Sequence, residues 1–88
     1  MNLVWTIEWD DFAKKQLKKL DRPVQKKILD YLDERIINNP LAFGRELVGN
    51  KTGLWRYRIE DHRVICRIEN QTLVICVLAV GHRKEIYD

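Results

Sequence analysis

Four arginines in the second half of the chain recur at even spacings. Arg56 and Arg58 fall in one apolar stretch, and Arg63 and Arg67 fall in the next. Alternate side chains of a β-strand point to the same face of a sheet, so each pair is predicted to share one side. The planar guanidinium group donates paired hydrogen bonds to phosphate or carboxylate. The pattern therefore predicts a basic, anion-binding sheet face.

The short connection Glu60-Asp61 predicts how the two arginine-bearing strands pair. With a two-residue turn there, Arg58 lies opposite Arg63. Like charges directly opposite each other destabilise a sheet, so this placement indicates a function. The alternative is an ordinary solvated face on which Arg67 pairs with a nearby acid such as Glu69.

In this register Arg56 faces Ile65, and the other side of the two strands is apolar and suits helix packing. Its predicted members are Trp55, Tyr57, Ile59, Val64, Cys66 and Ile68. The following strand would add Val74, Cys76 and Leu78 to the arginine face as an apolar floor. A basic and partly apolar surface suits a strand of nucleic acid.

The last eight residues add further chemistry. Gly81 is predicted to end the strand and redirect the chain, after which His82, Arg83 and Tyr87 bring an imidazole, a guanidinium and a phenol close together. A tail of this length is often frayed, but Ile86 gives it an apolar anchor.

The first half of the chain must supply the helices. After a first strand over Leu3–Glu8, Asp10 and Asp11 offer an N-cap and an acidic first turn to a helix that ends near Leu20. Its predicted apolar face consists of Phe12, Ala13, Leu17 and Leu20. The cluster of lysines at 14, 15, 18 and 19 falls on the other sides and is read as a solvated face, with docking on a polyanion as the alternative.

A second helix is predicted to start at Asp21-Arg22-Pro23 and to end near Asn38-Asn39-Pro40, because proline favours the first turn and apolar residues recur at helical spacing. These apolar residues are Val24, Ile28, Tyr31, Leu32 and Ile36. Since almost no linker separates the helices, they should form an antiparallel hairpin.

Leu41–Thr52 is predicted to be a loop, with a turn of helix around Arg45 to Val48. A three-stranded antiparallel meander follows over Leu54–Ile59, His62–Glu69 and Thr72–Val80. The order β-αα-βββ predicts an α+β fold with the helical hairpin packed on one face of a small, mostly antiparallel sheet.

Length and composition limit the other possibilities. The 88 residues, 45% apolar and 33% charged, predict a single globular domain over residues 1–88. No apolar run approaches the ~20 residues of a membrane helix, and the start does not resemble a signal peptide, so a cytoplasmic location is expected. Cys66 and Cys76 are interpreted as buried thiols, and no spacing of cysteines and histidines indicates a metal site.

Several stretches together resemble the RelE branch of the RelE/ParE toxin superfamily, over essentially the whole chain. They are Gly44-x-x-Leu47-x-Gly49, Gly53-Leu54-Trp55-Arg56-Tyr57-Arg58-Ile59, Asp61-His62-Arg63-Val64-Ile65 and Val80-Gly81-His82-Arg83-Lys84-Glu85-Ile86-Tyr87. The resemblance implies a RelE-like microbial RNase-type fold and the toxin of a type II toxin-antitoxin module. It also implies a metal-independent, cofactor-free endoribonuclease that cleaves mRNA in the A site of the 70S ribosome. A RelB-like antitoxin would hold it inactive and would make the complex's contacts with operator DNA.

The resemblance also implies roles for single residues. The catalytic set would be Arg58, Arg63, Arg83 and Tyr87, and the residues that hold the RNA backbone would be Arg56, Arg58, Arg67 and His82. The best-known member has lysines at positions 56 and 58. Arginine stays protonated and mainly stabilises charge, which leaves His82 or Tyr87 to move the proton.

A second reading comes from the other branch of the superfamily. ParE-like toxins share the fold and block DNA gyrase without catalysis. The arginines and Tyr87 together favour the nuclease over that inhibitor. A decayed toxin and a plain nucleic-acid-binding module stay open as well.

Overall fold

The computed structural model describes residues 4–47 and 53–86, which form a five-stranded mixed sheet with two helices packed against it. The strands are β1 (Thr6–Trp9), β2 (Arg45–Glu46), β3 (Leu54–Ile59), β4 (His62–Glu69) and β5 (Val74–His82). The helices are α1 (Asp11–Lys18) and α2 (Arg22–Tyr31). The predicted α+β class is confirmed.

The strands lie in the order β1-β5-β4-β3-β2. β1 pairs with β5 in parallel, and the other neighbours are antiparallel, so the predicted meander is confirmed as β3-β4-β5. The predicted register of β3 and β4 is also confirmed, because Arg58 lies opposite Arg63 and Arg56 opposite Ile65.

Helix α1 starts at its predicted cap. The Asp10 carboxylate accepts a 3.1 Å hydrogen bond from the backbone N–H of Phe12. Ala13 is fully buried, and Leu17 and Leu20 pack against the core. The prediction that Phe12 belongs to this apolar face is wrong, since its side chain is 60% exposed. Successive helical residues lie about 100° apart, which turns Phe12 away from the side on which Ala13 meets the sheet.

Helix α2 begins with proline in its first turn, as predicted. It continues from its last residue into a π-helical turn, Leu32–Ile36, in which the Ile37 N–H donates to the Leu32 carbonyl at 2.9 Å. Ile28, Leu32 and Ile36 are buried.

The connection after α2 differs from the prediction. Arg45–Glu46 forms β2 instead of a turn of helix, and a short 3-10 helix spans Pro40–Ala42. The predicted turn extended to Val48, which lies outside the described residues. Pairing with the much later β3 holds this segment extended, and no local sequence pattern reveals such a long-range contact.

The ends of β1 and β5 were predicted less well. β5 begins at Val74 instead of Thr72, and the prediction that Gly81 ends it is wrong, because the strand continues to His82. β1 is Thr6–Trp9 instead of Leu3–Glu8, with Leu3 itself outside the described residues.

β5 also contains a bulge. The register shifts between Ile65 and Cys66 of β4, where Ala79 and Val77 are the respective partners. Leu78 is therefore an extra residue without a partner of its own on β4, and it is neither in the core nor packed against it, so its placement with Val74 and Cys76 on the arginine face stays a prediction.

The core lies between the helices and one face of the sheet. Its buried members are Ala13, Ile28, Leu32, Ile36, Tyr57, Ile59, Val64, Cys66, Ile68, Ile75, Val77 and Val80, and Trp55 packs against them. The predicted apolar face of β3 and β4 is thus confirmed. Of the two cysteines, Cys66 is fully buried but Cys76 is only half-buried, because it lies on the opposite face. Among the described residues, no helix is long and apolar enough to span a membrane.

Candidate nucleic-acid interface

The side of the sheet opposite the core carries the four predicted arginines, but they differ in exposure. Arg58 and Arg67 are exposed, whereas Arg56 and Arg63 retain only 8% and 7% exposure. Two of the four predicted arginines are therefore largely removed from solvent. Burial of a guanidinium requires hydrogen-bonded compensation, and this fixes its position.

Arg63 shows how that compensation is built. Its Nη1 atom donates to the backbone carbonyls of Glu60 and His62, at 3.1 and 3.0 Å. These carbonyls belong to the β3–β4 turn and to the residue just before Arg63. The turn thus holds one side of the guanidinium group, which orients the group before any ligand arrives.

The corner where β3, β4 and β5 meet brings several predicted site residues together. Arg63 has Arg58 on one side and Gly81 on the other. Arg83 follows the end of β5 and reaches the same turn, because its backbone N–H donates to the Asp61 carbonyl at 2.7 Å. Its Nε atom lies 3.9 Å from the exposed Asp61 carboxylate.

The chain after β5 folds back over this corner. The N–H groups of Glu85 and Ile86 donate to the His82 carbonyl at 2.8 and 3.1 Å. A Cβ atom built on Gly81 would lie 3.2 Å from Cδ1 of Ile86, so the isoleucine side chain covers the glycine. The predicted anchor is confirmed, while Tyr87 lies outside the described residues.

His82 is not brought onto the arginine face. It is the cross-strand partner of His62, which directly precedes Arg63 on β4 and therefore points to the opposite face of the sheet. The two imidazole rings meet edge to face, with centroids 5.5 Å apart. Its Nδ1 atom accepts a 3.1 Å hydrogen bond from the Lys84 N–H. Nε2 therefore carries the proton of the neutral ring and is the atom left for a ligand.

Arg67 is separated from the corner. It lies opposite Cys76 and four positions after Arg63 on β4, which corresponds to roughly 13 Å at ~3.3 Å per residue. Arg67 therefore extends the basic face away from the corner along β4.

The sequence-based analysis missed Arg45. Through β2 it lies directly opposite Arg56, which brings a fifth arginine to the basic face. A cavity of about 300 Å³ opens beside it, lined by Tyr31, Gly44, Arg45, Arg56 and Arg58. The only hint in the sequence is a glycine directly before Arg45, because glycine favours the left-handed φ of +66° found at Gly44.

The cavity wall is held by side chains on the other face of β3. Trp55 Nε1 donates to the Phe43 carbonyl at 2.6 Å, and the Tyr57 hydroxyl donates to the Pro40 carbonyl at 2.7 Å. Burial raises the pKa of Tyr57 well above its usual range, which keeps this hydroxyl a donor. Gly44 approaches so closely that a Cβ there would overlap the carbonyl oxygen of Arg56.

Taken together, the described residues of this face offer several guanidinium groups, of which Arg63 is held by backbone carbonyls, and few groups able to move a proton. Arginine cannot accept a proton in a protein, so its part is to bind and stabilise negative charge. Across residues 4–47 and 53–86, no three His, Cys, Asp or Glu side chains are grouped to hold a metal ion. The arrangement suits a ligand with several phosphates.

Comparison with known proteins first shows which class of protein the chain resembles. The chain resembles the toxin RelG of Mycobacterium tuberculosis, at 24% identity over 83 residues that cover 94% of this chain and 95% of the relative. Its fold matches the toxin-antitoxin complex RelBE2 of Mycobacterium tuberculosis, with a TM-score of 0.85, 22% identity and coverage of 92% and 100% of the two chains. It also matches the archaeal RelE-RelB complex of Pyrococcus horikoshii, with a TM-score of 0.78, 24% identity and coverage of 96% and 100%.

The family itself follows from the sequence. The model of the family described as "ParE toxin of type II toxin-antitoxin system, parDE" matches residues 7–87. The chain therefore belongs to the ParE toxin family of type II toxin-antitoxin systems, within the RelE/ParE superfamily that its residues resembled.

Proposed function

We propose that this toxin is an endoribonuclease that cleaves mRNA in the ribosomal A site without a metal ion. The observation that carries the proposal is the corner at which Arg58, Arg63 and Arg83 meet, with Arg63 already oriented by two backbone carbonyls. Such a cluster of cations, one of them held in place, is suited to a phosphate whose negative charge grows during reaction.

In the proposed reaction the 2′-hydroxyl of a ribose attacks its own 3′-phosphate. A new bond forms between the 2′-oxygen and phosphorus, the bond to the 5′-oxygen breaks, and the products are a 2′,3′-cyclic phosphate and a free 5′-hydroxyl. The 2′-proton leaves to a base, and the 5′-oxygen takes up a proton. Arg63 and Arg83 donate to the non-bridging oxygens, where charge accumulates in the transition state.

The other residues of the site hold the RNA. Arg56 and Arg58 contact the backbone next to the cleaved bond, and Arg67 contacts it farther along β4. His82 lies off the arginine face at the end of β5, where only its Nε2 atom is available to the RNA, since Nδ1 accepts a hydrogen bond from the Lys84 N–H. In this proposal Tyr87 supplies a phenol that moves a proton or stacks on a base. The variant Tyr87→Phe separates these two roles, because phenylalanine keeps the ring for stacking and lacks the hydroxyl.

The proposal includes a partner and a location. A cognate antitoxin similar to RelB keeps the toxin inactive, and any contact of the complex with operator DNA is made by that antitoxin. Solved structures similar to this chain support this proposal, because they contain RelE-type toxins in complex with RelB antitoxins. An mRNA-cleaving toxin acts where ribosomes translate, which is the cytoplasm.

The test is primer extension on a reporter mRNA in a cell-free translation reaction. The intact protein should produce discrete cuts at A-site codons, and Arg63→Ala and Arg83→Ala should each reduce cutting about 100-fold or more, as expected for loss of a transition-state donor. Arg22→Ala, at the exposed start of α2, is the matched control and should cut normally. Intact mRNA with translation undisturbed would overturn the proposal.

A second candidate is a non-catalytic inhibitor of DNA gyrase. The observation that favours it is the match to a family described by the name ParE. A supercoiling assay separates the two candidates. Inhibition of gyrase that survives Arg63→Ala and Arg83→Ala, together with intact mRNA, would support this second function.

A further inference from the structure

We propose that the cavity beside Arg45 is a second phosphate subsite, in which Arg45 extends the backbone contacts of Arg56 and Arg58 away from the cleaved bond. The inference rests on the proposed function, because it names a further part of the same RNA path. Neither Arg45 nor Tyr31 is among the residues that the family resemblance implies.

The first argument is the charge of the cavity. Among the described residues that line it, every ionisable group other than the phenol of Tyr31 is a guanidinium, and its volume of about 300 Å³ is at the lower end of the range for small-molecule sites. Arg45 and Arg56 are cross-strand partners, which brings two guanidinium groups to the same side of the sheet at this cavity. The guanidinium fork matches phosphate geometry.

The second argument is that the cavity is rigid. Hydrogen bonds from Trp55 and Tyr57 hold the chain just before Gly44, and Gly44 itself fits against Arg56 only because it has no side chain. Arg45, the next residue, is thereby placed by the core side of β3. A preformed site loses less conformational entropy when it binds.

The third argument is the position of Tyr31. Its ring meets Phe43 edge to face at 6.2 Å, and Arg35 lies 5.5 Å from its centroid. A ring held in this way at a basic cavity provides an aromatic surface for a ribose or base, which a bare carboxylate ligand would not use. This favours a polynucleotide over an acidic peptide.

The fourth argument concerns the direction in which the RNA strand leaves the corner. Arg58 links the cavity to the corner, because it lines the cavity and lies opposite Arg63. The neighbouring cavity, which Tyr31 and Arg58 also line, balances its cations with the carboxylates of Asp30, Glu34 and Glu60, so it attracts phosphate less than the cavity beside Arg45 does. An RNA strand leaving the corner therefore passes toward Arg45.

The test measures binding without cleavage. The probe is a single-stranded oligonucleotide that is 2′-O-methylated throughout, so that the attacking hydroxyl is absent. We expect Arg45→Ala to weaken binding about tenfold, as for a lost charge-assisted hydrogen bond. The slope of log K against log salt concentration should fall by about 0.7, the value for one phosphate contact on a single strand. Arg45→Lys should retain the slope, and Arg22→Ala should bind like the unmodified protein.

The outcomes are distinguishable from those of the proposed function. Binding that depends on Arg45 supports the subsite even if no mRNA is cut, in which case only the nuclease proposal fails. Equal binding by Arg45→Ala and the unmodified protein, or no binding by either, overturns the subsite even if cleavage is normal. Affinity for a polyglutamate peptide that depends on Arg45, with oligonucleotide binding unchanged, overturns it in favour of an acidic protein partner.

Discussion

The buried hydroxyl of Tyr57 donates a 2.7 Å hydrogen bond to the carbonyl oxygen of Pro40, seventeen residues earlier in the chain. Both residues are almost fully buried. This bond joins β3 to the connection that follows α2, and so it ties the helical layer to the basic edge of the sheet.

Tyr57→Phe should destabilise the protein by about 1–3 kcal/mol, because it leaves the Pro40 carbonyl buried without its donor. Urea unfolding followed by circular dichroism measures the change. Tyr31→Phe is the control, since Tyr31 is only half-buried and water can take over the hydrogen bonds of the hydroxyl that is removed. Equal stability of Tyr57→Phe and the unmodified protein would contradict the role given to the bond.

Stability should fall in alkaline solution because of two buried acids. Burial raises the pKa of the Cys66 thiol and of the Tyr57 hydroxyl well above their ordinary values of 9.0 and 10.0. Above those values the unfolded chain loses protons that the folded chain keeps, so the free energy of unfolding decreases as pH rises. The decrease is up to about 1.4 kcal/mol per pH unit for each group.

Urea unfolding at pH 7.5 and pH 10.5 tests this expectation. The loss between the two pH values should be smaller in Cys66→Ala and in Tyr57→Phe, each of which lacks one of the groups. If both variants lose as much stability as the unmodified protein, groups other than Cys66 and Tyr57 cause the loss of stability at alkaline pH.

Gly44 and Gly53 both have positive φ angles, of +66° and +81°, but differ in their surroundings. A Cβ at Gly44 would overlap the Arg56 carbonyl oxygen, whereas the nearest atom to a Cβ at Gly53 is the Ile68 carbonyl oxygen at 3.8 Å. Gly53→Ala should therefore cost about 1 kcal/mol of backbone strain, and Gly44→Ala about 2–4 kcal/mol. Thermal unfolding of the two variants measures the difference, and equal losses would show that the close approach is unimportant.

Gln16 joins α1 to the edge of β5, because its Oε1 atom accepts a 2.7 Å hydrogen bond from the backbone N–H of Val80. Gln16→Met should remove this acceptor and cost about 1–2 kcal/mol, whereas Gln16→Glu retains an acceptor oxygen. Amide hydrogen exchange at Val80 reports the bond directly. We expect faster exchange in Gln16→Met alone, and unchanged exchange there would refute the link.

Local patterns in the sequence determined much of the molecule. The alternation of polar and apolar residues and the two-residue turn at Glu60-Asp61 fixed the pairing of Arg58 with Arg63, because register in a hairpin depends only on neighbouring residues. The cap at Asp10 and the buried stripe of α2 followed from helical spacing in the same way.

Only the tertiary structure decided the features that depend on distant partners. β2 and the cavity beside Arg45 exist because β3 binds a segment that has no strand pattern of its own. The bulge in β5 decides which face His82 occupies, since one extra residue reverses the alternation that follows it. The burial of Arg56 and Arg63 likewise arises only where strands assemble, because groups that folding brings together cover both guanidinium groups and, at Arg63, accept its hydrogen bonds.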